Sequence, residues 1–227
     1  MQTEEPYWLE EAYSSALAAQ DIGTINRAIN GSRVVESVIA AAFNPNAKFI
    51  DWGGGYGVFT RLMRDKGYDF YWNDLHCKNL FAEQFTANLD EQYELMTSFE
   101  VFEHISDPLK EIGNMIKISP NILFSTEILQ SSLINLPDWW YLGLHHGQHI
   151  SFYSIRSLEI IAAKFGLHFV TDGRSLHLLS KNPISAITFK VIARDGMVGR
   201  VISRLGRLKL RNKSLIAHDY SRSVHEA

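Results

Sequence analysis

The chain has 227 residues, 46% of them hydrophobic and 21% charged, with a formal net charge of −3. These values exclude a disordered or fibrous protein and leave room for one α/β domain with a sizeable core plus an appendage. The net charge hides an asymmetry: residues 184–227 carry nine Lys/Arg against three Asp/Glu, whereas residues 1–183 carry 13 against 22. An acidic body is not expected to bind nucleic acid, since counterion release needs a basic surface. A single cysteine, Cys77, rules out an intrachain disulfide and fits a reducing cytoplasm. The acidic start of the chain shows no signal-peptide pattern, and no apolar run reaches bilayer length.

In chain order, residues 1–45 read as a helical cap. Tyr7, Trp8 and Tyr13 come first, and Ile25, Ile29, Val35, Ile39 and Phe43 then recur at helical spacing. Gly31 marks a weak point or a break in that helix. A buried strand follows over 47–52, ending at Asp51 and Trp52, and runs directly into Gly53, Gly54, Gly55 and Gly57. A helical pattern begins at Val58, so strand, glycine loop and helix form the first half of a βαβ unit. Gly67 suits a helix C-terminus, and Asp69–Asn73 the next strand. Asp74 then stands at a strand tip, where a carboxylate accepts ribose hydroxyls of an adenosine ligand.

Residues 75–93 are too short for a full helix. A third strand is expected over 81–85, with Asn88, Leu89 and Asp90 reaching towards an adenine. A fourth strand covers 93–98, Pro108 starts a helix, and a fifth strand covers 121–126. The segment 127–153 is a long connection with little periodicity, and such loops are usually functional. Ser154 caps a last helix of the body, and Asp172-Gly173 closes a hairpin over 167–179. In the tail, Arg200, Arg204, Arg207 and Arg211 alternate with Val201, Ile202, Leu205 and Leu208. That basic amphipathic pattern fits a helix that touches an anionic membrane or a partner protein, or one docked on the acidic body.

The loop excludes one ligand class. A dinucleotide site needs G-x-G-x-x-G, and Val58 stands where its third glycine belongs. Asp51 would also repel a pyrophosphate, but suits a ligand that carries an ammonium group. The spacing D-x-G-x-G-x-G from Asp51 to Gly57 resembles the first motif of class I S-adenosylmethionine-dependent methyltransferases. Glu100-Val101-Phe102-Glu103-His104, followed by Pro108, resembles the E-V-x-E-H-x-x-x-P block of the branch that includes ubiquinone-biosynthesis enzymes. Trp139-Trp140-Tyr141 with Gly147-Gln148-His149 and Phe152 resembles the acceptor segment of bacterial methyltransferases of glycan or small-molecule biosynthesis.

This resemblance covers about residues 25–181 and implies a Rossmann-like three-layer α/β sandwich. Its sheet would have seven strands, mostly parallel, ending in an antiparallel hairpin. It implies a methyltransferase domain over 1–183 with an acceptor-site insertion over 127–153, and the charge balance sets apart a basic, helical tail over 184–227. S-adenosylmethionine would be the cofactor and S-adenosylhomocysteine its product, held by Asp51, Gly53, Gly54, Gly55, Gly57, Asp74 and Glu100. Trp139, Trp140 and Tyr141 would line the site for a small-molecule or glycan acceptor.

His149, or else His104, would remove the acceptor's proton, because imidazole titrates near neutral pH. No metal is expected: His145, His146 and His149 are clustered, but the Glu of H-E-x-x-H is absent and Gly147 disfavours a helix. Two other readings remain open. One is a cofactor-binding protein without turnover that recruits a biosynthetic complex through its tail. The other is an NAD-dependent oxidoreductase, disfavoured by Val58 and Asp51.

Overall fold

A computed structural model describes residues 23–130, 139–142 and 149–225. The aromatics at 7, 8 and 13 and the histidines at 145 and 146 lie outside them. The elements in order are α1 (Thr24–Ala42), β1 (Lys48–Trp52), α2 (Val58–Asp65), β2 (Asp69–Asn73), β3 (Leu95–Phe99), α3 (Pro108–Ile118) and β4 (Ile122–Ser125). They continue as α4 (Ile155–Lys164), β5 (His168–Thr171), β6 (Leu176–Ser180), α5 (Ala186–Ile192), α6 (Met197–Arg207) and α7 (Ile216–His225).

The strands lie in the order β2-β1-β3-β4-β6-β5, with the first four parallel and the β5–β6 hairpin antiparallel. Both faces are covered, so strand residues are apolar on both sides rather than alternating. Phe49, Leu95, Leu123 and Leu178 enter one core with α1, α2 and α5. Their neighbours Ile50, Met96, Ile122 and Leu179 enter the other, with α3 and α4. This is the three-layer sandwich expected. Gly31 does not break α1, which runs unbroken with that residue beside the rings of Phe59 and Phe99. Two helix starts fall where the sequence put them: Pro108 opens α3, where Asp107, a cap the sequence reading did not name, accepts the Lys110 N–H at 3.1 Å, and Ser154 forms a capping box with Ser157 ahead of α4.

Six strands are present among the described residues, not seven. The expected strand at 81–85 is a 3₁₀ turn (Glu83–Phe85), followed by a single bridge between Trp72 and Thr86. A parallel neighbour for β2 needs a crossover helix, and residues 75–82 form no helix. The chain instead folds back over the glycine loop: the amides of Leu80 and Phe81 donate to the Tyr56 carbonyl at 3.0 and 3.1 Å.

The C-terminal segment is built into the molecule. Phe189 and Ile192 of α5 are buried in the core beside Val35 and Met63. Arg207 pairs with the buried Glu36, and Asp219 of α7 pairs with the buried Arg64 at 2.8 Å.

Candidate active site

In a parallel sheet the ligand crevice lies beyond the carboxyl ends of the strands, where successive connections leave in opposite directions. Here that point falls between β1 and β3, since β1 leads to β2 on one side and β3 lies on the other. The glycine loop leaves β1, Asp74 follows β2, and Glu100 to His104 follow β3. These expected residues therefore meet at one edge.

Gly55 sits at φ +53°, a region costly for other residues, and a Cβ built there meets nothing within 4 Å. Bare backbone facing open space is what a ligand cradle requires. Gly57 is needed for the opposite reason: its Cβ would come within 2.4 Å of the Asn79 side chain. Asp74 holds this loop, accepting the Gly55 N–H at 2.9 Å and the amides of His76 and Cys77 at 2.8 and 2.9 Å.

Asp51 is buried and accepts hydrogen bonds from Thr97 Oγ1 at 2.8 Å and Thr60 Oγ1 at 3.4 Å. Burial raises its pKa from 3.8 to about 7; the two threonines lower it and the Asp74 charge adds to the rise.

Sequence reasoning missed Thr97, Thr60 and Trp72, whose indole N–H donates to the Gly55 carbonyl at 2.8 Å. Thr97 left a trace, as a polar residue within an apolar strand, opposite Asp51 in register. Ser125 was also missed. Its hydroxyl donates to Glu100 Oε1 and accepts the Glu100 N–H at 2.8 Å, holding that residue at φ 54°. Such backbone strain in a non-glycine residue clusters at functional sites. Its neighbour Val101 packs against Gly53, so the β3 turn supports the glycine loop.

The other side of the crevice forms where residues 149–153 are stitched to 102–105. The amides of Ile150 and Ser151 donate to the Glu103 carbonyl at 2.8 and 2.9 Å, and the Tyr153 hydroxyl donates to the Phe102 carbonyl at 3.0 Å. This brings the imidazoles of His104 and His149 edge to face, with centroids 4.9 Å apart. His149 Nδ1 lies 2.5 Å from the Tyr141 carbonyl. A carbonyl only accepts, so Nδ1 carries the proton, and the neutral ring has its lone pair on Nε2.

Glu103 is fully buried, and among the described residues neither carboxylate oxygen has a hydrogen-bond partner. The Tyr141 hydroxyl is close enough to favour the charged form, but its bonding geometry is with Thr126 Oγ1 at 3.1 Å. Burial, with the Glu100 charge added, pushes the Glu103 pKa well above its ordinary value. One ligand atom each from Glu103, His104 and His149 lie within 4.8 Å of one another.

Of the expected acceptor wall, Trp140 is exposed, while Trp139 is partly covered and packs on Tyr141 and Phe152. Tyr141 is buried, and its ring and carbonyl support His149. Asn88, Leu89 and Asp90 form an exposed turn tied to the Tyr93 hydroxyl.

The family described as "Methyltransferase domain" matches residues 28–172, more than half of the chain. The chain belongs to the methyltransferase-domain family. No curated protein sequence matches it. Among solved structures, magnesium protoporphyrin IX methyltransferase from Synechocystis, with bound S-adenosylhomocysteine, is similar at TM-score 0.51 and 14% identity, covering 75% of this chain and 94% of that one. A chain of the Haloferax volcanii complex between the Trm112 methyltransferase activator and a methyltransferase gives 0.54 and 14%, covering 76% and 98%. TnmH gives 0.52 and 17%, covering 78% and 62%. At these identities the likeness is one of fold. The family match makes the protein an S-adenosylmethionine-dependent methyltransferase. The residues fit that cofactor: an open backbone cradle at Gly55, a carboxylate at the β2 tip, and a buried carboxylate behind the loop.

Proposed function

We propose that this methyltransferase acts in the cytoplasm on an oxygen, nitrogen or carbon of a small molecule or glycan precursor, with His149 as the base. S-adenosylmethionine supplies the methyl group on a sulfonium, an intrinsically good leaving group. The chain's own work is to align the acceptor, exclude water and remove a proton. The loop from Gly53 to Gly57 and Asp74 hold the nucleoside. Asp51 offers charge to the ammonium of the amino-acid moiety, and Glu100 braces the loop. Trp139 and Trp140 contribute rings to the acceptor side, with Tyr141 behind them. The observation that carries the reading is the hydrogen bond from His149 Nδ1 to the Tyr141 carbonyl, which leaves Nε2 as the basic atom. His104, packed against that ring, fixes its orientation.

The test is incubation with methyl-labelled S-adenosylmethionine and a small-molecule extract, read by mass spectrometry. Labelled product is expected. On that substrate His149→Ala should lower kcat by about 10²-fold or more, and His104→Ala by less. Gly55→Arg should weaken S-adenosylhomocysteine binding by at least about tenfold, because it fills the cradle at a strained φ. Binding without any transfer would favour the recruiting protein instead.

A second reading rests on the unpartnered carboxylate of Glu103. Its position with His104 and His149 is one a divalent cation would take, acidifying an acceptor hydroxyl. It predicts that chelation abolishes turnover and that added Mg²⁺ or Mn²⁺ restores it. Turnover indifferent to chelator leaves the imidazole acting alone.

A further inference from the structure

Helix α6 is mounted with its small residues inward. Gly199, Ser203 and Gly206 are buried against α1: the Ser37 hydroxyl donates to the Gly199 carbonyl at 2.9 Å. A Cβ on Gly206 would lie 2.3 Å from Ala40 Cβ. The large apolar residues are therefore on the outside. Val198, Val201, Leu205 and Leu208, spaced three or four apart along one stripe, are 54%, 50%, 58% and 78% exposed. Met197 extends the stripe at 83%, and Ile187 of the adjoining α5 is 78% exposed. A helix that is apolar on both faces is ordinarily buried on both.

The charges around this face state what covers it. Between residues 184 and 213 the only acidic side chain is Asp195, and it is bonded to Arg33 and Arg200. Lys190, Arg194, Arg204, Lys209 and Arg211 are all exposed. Exposed apolar side chains on a segment whose exposed charges are nearly all cationic fit the interface of an anionic bilayer, where the chains enter the acyl boundary and the long basic stems reach back to the headgroups. A second copy of this chain does not fit as well, since a two-fold contact through this face would set the cationic segment against its own kind. No described helix is long and apolar enough to cross a membrane, so the face would lie on the surface.

We infer that the α5–α6 face docks this methyltransferase on an anionic lipid surface. In flotation of the full-length protein, binding to vesicles of mixed phosphatidylcholine and phosphatidylglycerol should exceed binding to phosphatidylcholine alone by at least about tenfold, and should weaken in high salt. Leu205→Asp with Leu208→Asp, both at exposed positions, should lose that binding with thermal midpoint and S-adenosylhomocysteine affinity unchanged. Arg204→Glu with Lys209→Glu should lose it as well. The inference is overturned if the wild type stays in solution with both vesicle types, or if the Asp pair floats as the wild type does. A wild-type dimer that Leu205→Asp converts to monomer would equally overturn it, by assigning the face to self-association. So would capture by an acidic protein in place of lipid.

Discussion

Asp51 is a buried carboxyl whose charge the fold resists. Its pKa rises from 3.8 to about 7, chiefly through burial. The native state therefore holds a proton that the unfolded chain has already released across that window. Stability from this group is complete below the unfolded value and falls as pH rises towards 7, by up to about 4 kcal/mol. Glu103, also raised by burial, contributes with the same sign. Asp51→Asn should thus flatten, though not abolish, the decline in urea midpoint between about pH 4 and about pH 7. A bound ammonium favours the ionised form. S-adenosylhomocysteine affinity should then rise with pH through the same window in the wild type and lose most of that rise in the Asn variant. Equal slopes in both proteins would remove Asp51 from the ammonium role.

At the scale of elements, the outer edge of β2 is closed by a helix and a turn where a seventh strand was expected. Arg64 is the centre of that closure. Its guanidinium lies 3.6 Å from the Phe85 ring centroid, donates to Asp69 and the Phe70 carbonyl, and pairs with Asp219 of α7. Arg61 places a second guanidinium 2.8 Å from the same carboxylate, as an ion pair. Burial acts to raise the Asp219 carboxyl, but Arg64, helped by His218 and Arg61, outweighs it, and the group is held below its ordinary value. Its contribution is therefore present above the unfolded pKa and is lost in acid. Removing Asp219 takes away the main counter-ion of the buried Arg64, which keeps Asp69 and the Phe70 carbonyl, so Asp219→Ala should cost about 1.5–3 kcal/mol in urea unfolding near neutral pH. Arg64→Met combined with Asp219→Leu should cost less than the sum of the two single changes, since no charge is then stranded. Strict additivity would show that the pair is not coupled.

Across the whole molecule, the basic segment and the acidic body are one packed unit. Phe189, Ile192 and Leu210 sit in the same core as Met63 and Phe70. Each such large apolar side chain is worth about 2–5 kcal/mol, so losing all three approaches or exceeds a typical total stability of about 5–15 kcal/mol. A chain ending at residue 183 should accordingly fail to give a cooperative thermal transition and should aggregate on expression. A soluble, cooperatively melting truncation would make the tail a removable appendage, as its charge first suggested. The same packing leaves the cations of α5 and α6 exposed on a body whose remaining residues are net acidic, an asymmetry that would favour anionic surfaces.

The helices at Ala186–Ile192 and Ile216–His225 were not read from the sequence, but the order of elements from α1 to β6, the glycine loop between β1 and α2, the Asp-Gly hairpin, the start of α3 at Pro108 and the cap at Ser154 were legible in it. Each depends on local turn chemistry or on a hydrophobic period that neighbouring residues complete. The loss of a strand at 81–85 was not legible, because pairing depends on whether the chain has length to cross the sheet and on what else takes the edge. Nor was the partnership of Thr97 with Asp51, set by register, or the approach of His149 to Glu103, set by backbone bonds between two distant loops. The tail shows the division most plainly. Its period declared an amphipathic helix, but period alone does not say which face turns inward. Gly199, Ser203 and Gly206 let α6 approach α1 more closely than leucines could, and that close contact put the leucines outside.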